Sequence, residues 1–191
     1  MELFKLSLPD GDQFEFQIAF VNEPATESNF MAFSQKVNPY KFKEVDKVKK
    51  ILMGYFMIAD LEIPRWDEKR GPYNVMFTGD SIDKIAKNWA KNGLNKNLNE
   101  NHNTGKFAEG VYVLHHWQID SKLGILPPKD FKVEADRSWF GVVQCDNDEI
   151  YQKALNGEYT GFSIESKFIE EKFGASVSDE LEAFLKSLVT K

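Results

Sequence analysis

The sequence predicts an α+β fold: a mainly antiparallel β core, closed or nearly closed, with helices at its periphery. Three observations lead to this prediction. Many short segments alternate apolar and polar residues, as half-buried strands do. Only a few segments carry the 3.6-residue periodicity of an amphipathic helix. Strands and helices do not alternate regularly along the chain, which argues against a parallel sheet built from β-α-β units.

The strands are justified in chain order. Alternating runs at 3–8 and 13–20 flank the turn-forming residues PDGD, which predicts a β-hairpin. The segment 50–59 is continuously apolar, so it is predicted to be a central strand. Further strands are predicted at 30–34, 40–45, 73–77, 110–120, 139–145 and 159–168. Loops are predicted at 62–72, which is charged and holds two prolines, and at 121–130; the Asn-rich 94–106 suits a loop or a strand end.

Three helices are predicted. The first spans 80–93, with Asp80 or Ser81 as its N-cap, Gly93 as its stop and an apolar stripe of Ile82, Ile85, Ala86 and Trp89. A short helix with an acidic first turn is predicted within 146–157. The third lies in a C-terminal segment, 174–191, appended to a domain of residues 1–173; its stripe must pack on the domain or on a partner. That stripe comprises Leu181, Phe184, Leu185 and Leu188.

Composition limits the classes of function. The chain has 191 residues and a net charge of −6, and it lacks a basic run interleaved with aromatics, which argues against nucleic-acid binding. A single cysteine, Cys145, fits a reducing compartment and is expected to be a small core residue. Since no signal peptide or membrane-spanning run is evident, we expect a soluble, cytoplasmic protein.

A few polar residues are candidates for chemistry. Ser163 and Glu165 lie two residues apart on a predicted strand, so both project from one face, opposite Phe162 and Ile164. His102 lies in the polar stretch NENHN. Each pattern also fits a solvated surface residue. His115 and His116 are adjacent on a strand and face opposite sides. No zinc-ligand spacing or phosphate-binding loop appears, so no metal or organic cofactor is predicted.

Three segments together resemble a known family. NENHN is followed by GVYVLHHW and then by ALNGEYTGFSIE, a helix end leading into a strand. This order is similar to the phage prohead proteases, the serine proteases of capsid maturation, which are related in fold to the herpesvirus assemblins. The segment FVNEPATESNFMAFS resembles the prophage-type branch of that family. The similarity covers most of residues 18 to 170, and it implies that 1–173 is a protease domain.

The resemblance implies a serine endopeptidase with Ser163 as nucleophile and His102 as general base. The third member is another histidine in the herpesvirus-type relatives and an acid in the phage members, where it would come on a strand after the serine strand. Only a helix is legible there, after SKFIEEKF. Glu165 is therefore the first choice for the third member and His116 the second, and a complete triad is left open.

The implied function is capsid maturation inside the assembling procapsid, in the host cytoplasm. The substrates would be the scaffolding protein, the N-terminal region of the major capsid protein and the protease itself, with no nucleic acid or membrane involved. One alternative is an inactive scaffold or structural head protein that keeps the protease fold. Another is an unrelated β-rich binding domain. Self-association through the C-terminal stripe is also left open.

Overall fold

The computed structural model describes residues 2–9, 16–22, 43–46, 49–103, 105–129 and 131–173. The predicted strand at 30–34 and the predicted C-terminal helix at 174–191 lie outside these residues. The elements, in chain order, are β1 (Leu3–Ser7), β2 (Gln17–Val21), β3 (Lys43–Asp46), β4 (Ile51–Met57), β5 (Ile63–Asp67), β6 (Gly71–Phe77), α1 (Gly79–Lys91), β7 (Leu98–Glu100), β8 (Val111–Gln118), β9 (Trp139–Cys145), α2 (Asp148–Leu155), β10 (Gly161–Glu165) and β11 (Ile169–Lys172).

The strands form three sheets, with the orders β11-β1-β6-β5, β10-β2-β7 and β3-β4-β9-β8. Pairing is antiparallel except between β1 and β6 and between β2 and β7. The predicted α+β class with mainly antiparallel sheets is thus confirmed, and β4 is an internal strand as expected. None of the three sheets closes on itself within the described residues, so the closed core stays a prediction.

The predicted N-terminal hairpin is wrong. Its two strands form, but β1 pairs with β6 and β11, whereas β2 pairs with β7 and β10. All five residues of β2 are buried. A fully buried strand needs a partner on both edges to satisfy its backbone groups, and β2 finds both partners in the chain after residue 97. Local alternation predicted the strands, but it carried no information on which strands pair.

The segment predicted as a charged loop is also different: it forms the hairpin of β5 and β6. Its prolines lie where a missing N–H costs little. Pro64 is on β5, the last strand of its sheet. Pro72 is on β6 but precedes Asn74, where the described pairing with β1 begins. Strand proline is tolerated where no partner strand needs the lost donor.

The first predicted helix is confirmed as α1, with one change at its N-terminus. Thr78 is the N-cap, in place of Asp80 or Ser81, and its side chain accepts the hydrogen bond from the Ser81 amide. A threonine hydroxyl satisfies one of the first N–H groups of a helix as well as serine does. Gly93, with φ of +62°, follows the C-cap as predicted. The second helix is confirmed as α2.

A further strand, which was not predicted, follows the Ser163 strand; it lies within the segment SKFIEEKF, ahead of the predicted C-terminal helix. This is β11, which pairs antiparallel with β1. All four of its residues are exposed, so it has no apolar alternation that would reveal it. Its formation depends on the β1 edge instead. Within the described residues, no helix is long and apolar enough to cross a membrane.

An aromatic core joins the sheets behind β10. The Phe56 ring on β4 packs edge-on against Trp139 of β9 and Phe162 of β10, with centroids 5.2 Å away in both cases. Phe20 of β2 packs on Phe162 at 5.5 Å. Phe162 is 1% exposed, so β10 is held by this core through one face, and its other face carries Ser163 and Glu165.

Candidate active site

The sheet β10-β2-β7 presents a polar face. In its register, Ser163 lies opposite Ala19, Ala19 opposite Asn99, and Glu165 opposite Gln17. Directly opposed residues and residues two apart share a face, so all five point to the same side. Among the described residues only five polar or charged ones are buried, and three of them, Gln17, Asn99 and Ser163, are here. Burial of polar groups is costly, so their concentration on one face marks a functional-site candidate.

Glu165 is tied into this face from two sides. Its Oε2 lies 3.3 Å from Nδ1 of His102 and accepts a hydrogen bond of 3.2 Å from Nδ2 of Asn99. The same Asn99 amide donates to Oε1 of Gln17. Asn99 is fully buried and its Oδ1 has no hydrogen-bond partner among the described residues. The amide orientation is favoured because the opposite one would turn Oδ1 towards the carboxylate.

His102 is positioned by a turn directly after β7. Asn101 and His102 have φ of +51° and +58°, a left-handed conformation that is uncommon for residues other than glycine. The turn is held by hydrogen bonds from the Asn101 amide to the Phe20 carbonyl (2.9 Å) and from the Asn103 amide to the Glu100 carbonyl (3.1 Å). Strained backbone of this kind is retained where the surrounding contacts fix it, often at functional sites.

The free nitrogen of His102 is the second notable feature of its ring. With Nδ1 on Glu165, the other nitrogen, Nε2, is buried and has no hydrogen-bond partner among the described residues. A carboxylate at Nδ1 favours the tautomer that carries its proton there, which leaves the Nε2 lone pair as a base. The arrangement can therefore accept a proton at Nε2 and stabilise the resulting imidazolium through Glu165.

Ser163 precedes Glu165 by two residues on the same face of β10, which corresponds to about 6.6 Å along the strand. Ser163 is 9% exposed. Among the described residues, no hydrogen bond joins the Ser163 hydroxyl to His102. The structure thus brings His102 and Glu165 into contact and places Ser163 on the adjoining position of their strand face, without a direct Ser163–His102 bond. Hydrogen bonds between catalytic groups are often looser before substrate binds.

A second polar cluster anchors β7 and the start of β10 from the opposite face of this sheet. The Tyr159 hydroxyl donates to Oε2 of Glu100 at 2.6 Å, and Nζ of Lys153 donates to the same oxygen at 3.0 Å. Burial opposes ionisation of Glu100, but these two donors outweigh it and lower its pKa. Burial, followed by the bond to Glu100, raises the pKa of Tyr159 to about 12. The cluster links β7, just before the His102 turn, to α2 and the residues preceding β10.

The other candidates of the sequence analysis lie elsewhere. Nδ1 of His116 accepts a 3.1 Å hydrogen bond from the Trp139 indole, and burial lowers its pKa. None of the described hydrogen bonds links it to Ser163 or His102. His115 is exposed on the bulged strand β8. Cys145 is fully buried, as expected, and burial raises the pKa of its thiol to about 11. In the described part of the chain, no three His, Cys, Asp or Glu side chains converge as metal ligands.

Gln17 and Asn99 were missed by the sequence analysis. The one available signal was Gln17 itself, a polar residue in the first position of an otherwise apolar strand, QIAFV. Asn99 lies among other asparagines and has no distinguishing spacing.

Comparison with protein-family models, curated proteins and solved structures finds no match for this chain.

Proposed function

We propose that this protein is a serine endopeptidase of the phage prohead protease type, which cleaves scaffolding and capsid proteins during head assembly. The observation that carries the proposal is the contact between His102 Nδ1 and Glu165 Oε2, 3.3 Å long, on the strand face that also holds Ser163. A histidine oriented by a carboxylate, with its second nitrogen free, is the base that a serine nucleophile requires. The resemblance of the surrounding segments supplies the substrate class and the assemblin-like fold.

Each residue has a defined role in this proposal. Ser163 Oγ attacks the scissile carbonyl while Nε2 of His102 removes its proton and later returns it to the leaving amine. Glu165 holds Nδ1 and balances the positive charge on the ring. Asn99 positions Glu165, because its Nδ2 donates to the same Oε2 that faces His102. Asn99 is a positioning residue in this scheme, since it acts through Glu165.

A second function is favoured by two observations: Ser163 is only 9% exposed, and among the described residues it has no hydrogen bond to His102. A structural or scaffolding head protein that retains the fold without activity would also tolerate this arrangement. The two functions differ in whether Ser163 and His102 act as a unit.

The test uses the full chain, co-expressed with capsid and scaffolding proteins of tailed phages and also incubated with an unfolded protein such as casein. Ser163→Ala and His102→Ala should each lower cleavage by roughly 10³-fold or more, and the double variant should be no worse, because members of such a unit are not additive. Ser121→Ala and His115→Ala, at exposed positions outside the site, serve as matched controls.

Normal processing by Ser163→Ala would exclude it as the nucleophile. A double variant much worse than either single variant would show that the two residues do not act together. If the wild-type chain cleaves nothing but still co-assembles with capsid proteins, the structural alternative is the correct function.

A further inference from the structure

A cavity of about 220 Å³ lies beside the candidate site, between β10 and the sheets around it. Ser163 is part of its wall, together with the two residues that flank it, Phe162 and Ile164. By strand alternation Phe162 and Ile164 share one face of β10, so the cavity lies on that face and extends to Ser163. The cavity is therefore adjacent to the proposed nucleophile without being part of the His102–Glu165 pair.

Part of the cavity wall is formed by buried apolar side chains. They include Leu6 of β1, Phe56 of β4, and Ile63 and Val75 of the β5–β6 hairpin. All of these are at most 8% exposed. The sheets β11-β1-β6-β5 and β3-β4-β9-β8 thus both contribute buried hydrocarbon to one space, which an apolar side chain would fill with favourable dispersion contacts.

Besides Ser163 and Tyr73, three partly or fully exposed residues contribute polar groups to the cavity wall: Arg65, Ser166 and Glu170. The Glu170 carboxylate is engaged by Arg70, which also lies over the Tyr73 ring at 3.8 Å from its centroid. The acid is therefore neutralised by a fixed guanidinium and does not present a free charge to the interior. The cavity wall thus combines buried hydrocarbon with a few polar groups, the usual composition of a specific binding pocket.

Its size indicates what it can hold. Ligand pockets for whole small molecules measure about 300–1,000 Å³, which exceeds this volume. An apolar cavity of about 150 Å³ is large enough for benzene. A space of about 220 Å³ thus matches one leucine, methionine or phenylalanine side chain and excludes most cofactors.

We propose that this cavity is a substrate subsite that takes one large apolar side chain of a polypeptide lying across Ser163. The inference rests on the proposed function, which brings a peptide carbonyl to the Ser163 hydroxyl. Successive side chains of an extended peptide point to opposite sides, about 3.3 Å apart along the chain. A substrate whose carbonyl reaches Ser163 can thus direct a neighbouring side chain to the Phe162–Ile164 face, where the cavity lies.

The first measurement does not depend on catalysis. The full-length Ser163→Ala protein is titrated with the N-acetyl amides of phenylalanine, leucine, alanine and glutamate, and backbone amide shifts are followed by NMR. We expect the phenylalanine and leucine amides to shift the resonances of Ile63, Val75 and Ile164, with an affinity at least tenfold above that of the alanine and glutamate amides. Equal affinities, or shifts confined to other regions, would overturn the subsite.

Cavity-filling supplies the matched variants. Ser166→Phe adds an aromatic ring to the cavity wall and should weaken phenylalanine-amide binding at least tenfold. Lys122→Phe adds the same ring on an exposed turn and should leave binding unchanged. Ile63→Val enlarges the space by one methylene and should shift the preference from leucine towards phenylalanine. Thermal unfolding of each variant checks its fold, and Ile63→Val stays informative if Ser166→Phe is unfolded.

The second measurement reads specificity directly. The wild-type protein digests a denatured peptide mixture, and mass spectrometry records residues around each cut. We expect large apolar residues at one fixed position from the cut, and loss of that enrichment in Ser166→Phe. Cleavage without such enrichment would refute the subsite while keeping the protease. Apolar amides that bind in the cavity of a protein that never cleaves would refute the protease while keeping the cavity as an apolar side-chain pocket.

Discussion

The His102–Glu165 pair is the clearest link between sequence and chemistry at the scale of single residues. Glu165 can orient the ring through geometry, through charge, or through both. Glu165→Gln keeps the shape and a polar atom near Nδ1 but removes the charge and offers an amide donor, which favours the wrong tautomer. Under the proposed protease function, we expect cleavage to fall by about 10²–10⁴-fold, because loss of the acid in a serine protease triad costs up to about 10⁴-fold.

The measurement is kcat/KM on a peptide substrate, with Glu158→Gln as the control on an exposed turn. Glu165→Asp should recover part of the activity, since it restores the charge at a greater distance. A Glu165→Gln enzyme as active as the wild type would make the contact a structural ion pair only.

Cys145 provides a second prediction at this scale. Burial raises the pKa of its thiol to about 11, so the thiolate that reacts with alkylating agents is scarce at pH 8. Iodoacetamide should leave Cys145 unmodified in the folded protein and modify it after unfolding in urea. Cys145→Ala should keep cleavage per folded molecule, with some stability lost to the small cavity. Loss of activity in a well-folded Cys145→Ala protein would point to a cysteine enzyme instead.

Some of these residues could be found from the sequence and others could not. Strand alternation is local, so it placed Ser163 and Glu165 on one face correctly. Gln17 lies opposite Glu165 in the sheet although the two are 148 positions apart in the sequence. Asn99, 66 positions from Glu165, donates a direct hydrogen bond to it. No local pattern encodes such pairing, and Oε2 of Glu165 meets Asn99 only after three strands have assembled.

At the scale of elements, the Glu100 cluster anchors the end of β7, directly before the turn that carries His102. Tyr159→Phe removes a hydroxyl whose 2.6 Å bond ends on Glu100, and the ring itself is 2% exposed, so packing is conserved. Loss of a hydrogen bond to a partly buried carboxylate should lower the free energy of unfolding by about 1–3 kcal/mol. Urea denaturation measures the change in the free energy of unfolding. Lys87→Met, at an exposed position of α1, is the surface control.

The same variant has a pH signature. The pKa of Glu100 is lowered in the folded protein, so its stabilisation is present above the unfolded value of 4.5 and is lost as the pH falls through the folded pKa. Tyr159→Phe weakens one cause of that lowering, so its stability deficit should shrink as the pH falls below 4.5 towards the folded pKa. A deficit independent of pH would mean that the hydroxyl does not interact with the charged carboxylate.

Elements were predicted more successfully than their neighbours. The helices α1 and α2 and the strands β8, β9 and β10 follow from periodicities contained within each segment. The errors occurred where tertiary contacts decide: β5 forms despite its proline because β6 supplies the ladder, and β11 forms although all its side chains are exposed because β1 offers an edge. Both are strands whose stability resides in their partners.

At the scale of the whole molecule, three sheets share one aromatic core, so a partly buried titratable group that contacts this core affects the stability of the entire domain. His116 is such a group. Its Nδ1 accepts from the Trp139 indole, and the Trp139 ring is fully buried between Phe56 and Trp89. Protonation of His116 would abolish this acceptor and charge a partly buried ring. The histidine therefore couples the pH of the solvent to the centre of the core.

The sign of this coupling follows from the lowered pKa of His116. Above the ordinary value of 6.5 the ring is neutral in both folded and unfolded chains, and the stability is complete. Below 6.5 the unfolded chain takes up the proton first, so stability falls as the pH decreases towards the folded pKa, by at most about 1.4 kcal/mol per pH unit for one proton. Urea denaturation at pH 7.5 and 5.5 measures the loss.

His116→Gln keeps an oxygen acceptor for Trp139 without a titrating ring, so it should lose less stability over this interval than the wild type does. His115→Gln, at an exposed position on the same strand, should behave as the wild type. If His116→Gln and the wild type lose equal stability between the two pH values, the proton is taken up elsewhere, and His116 does not link pH to the core.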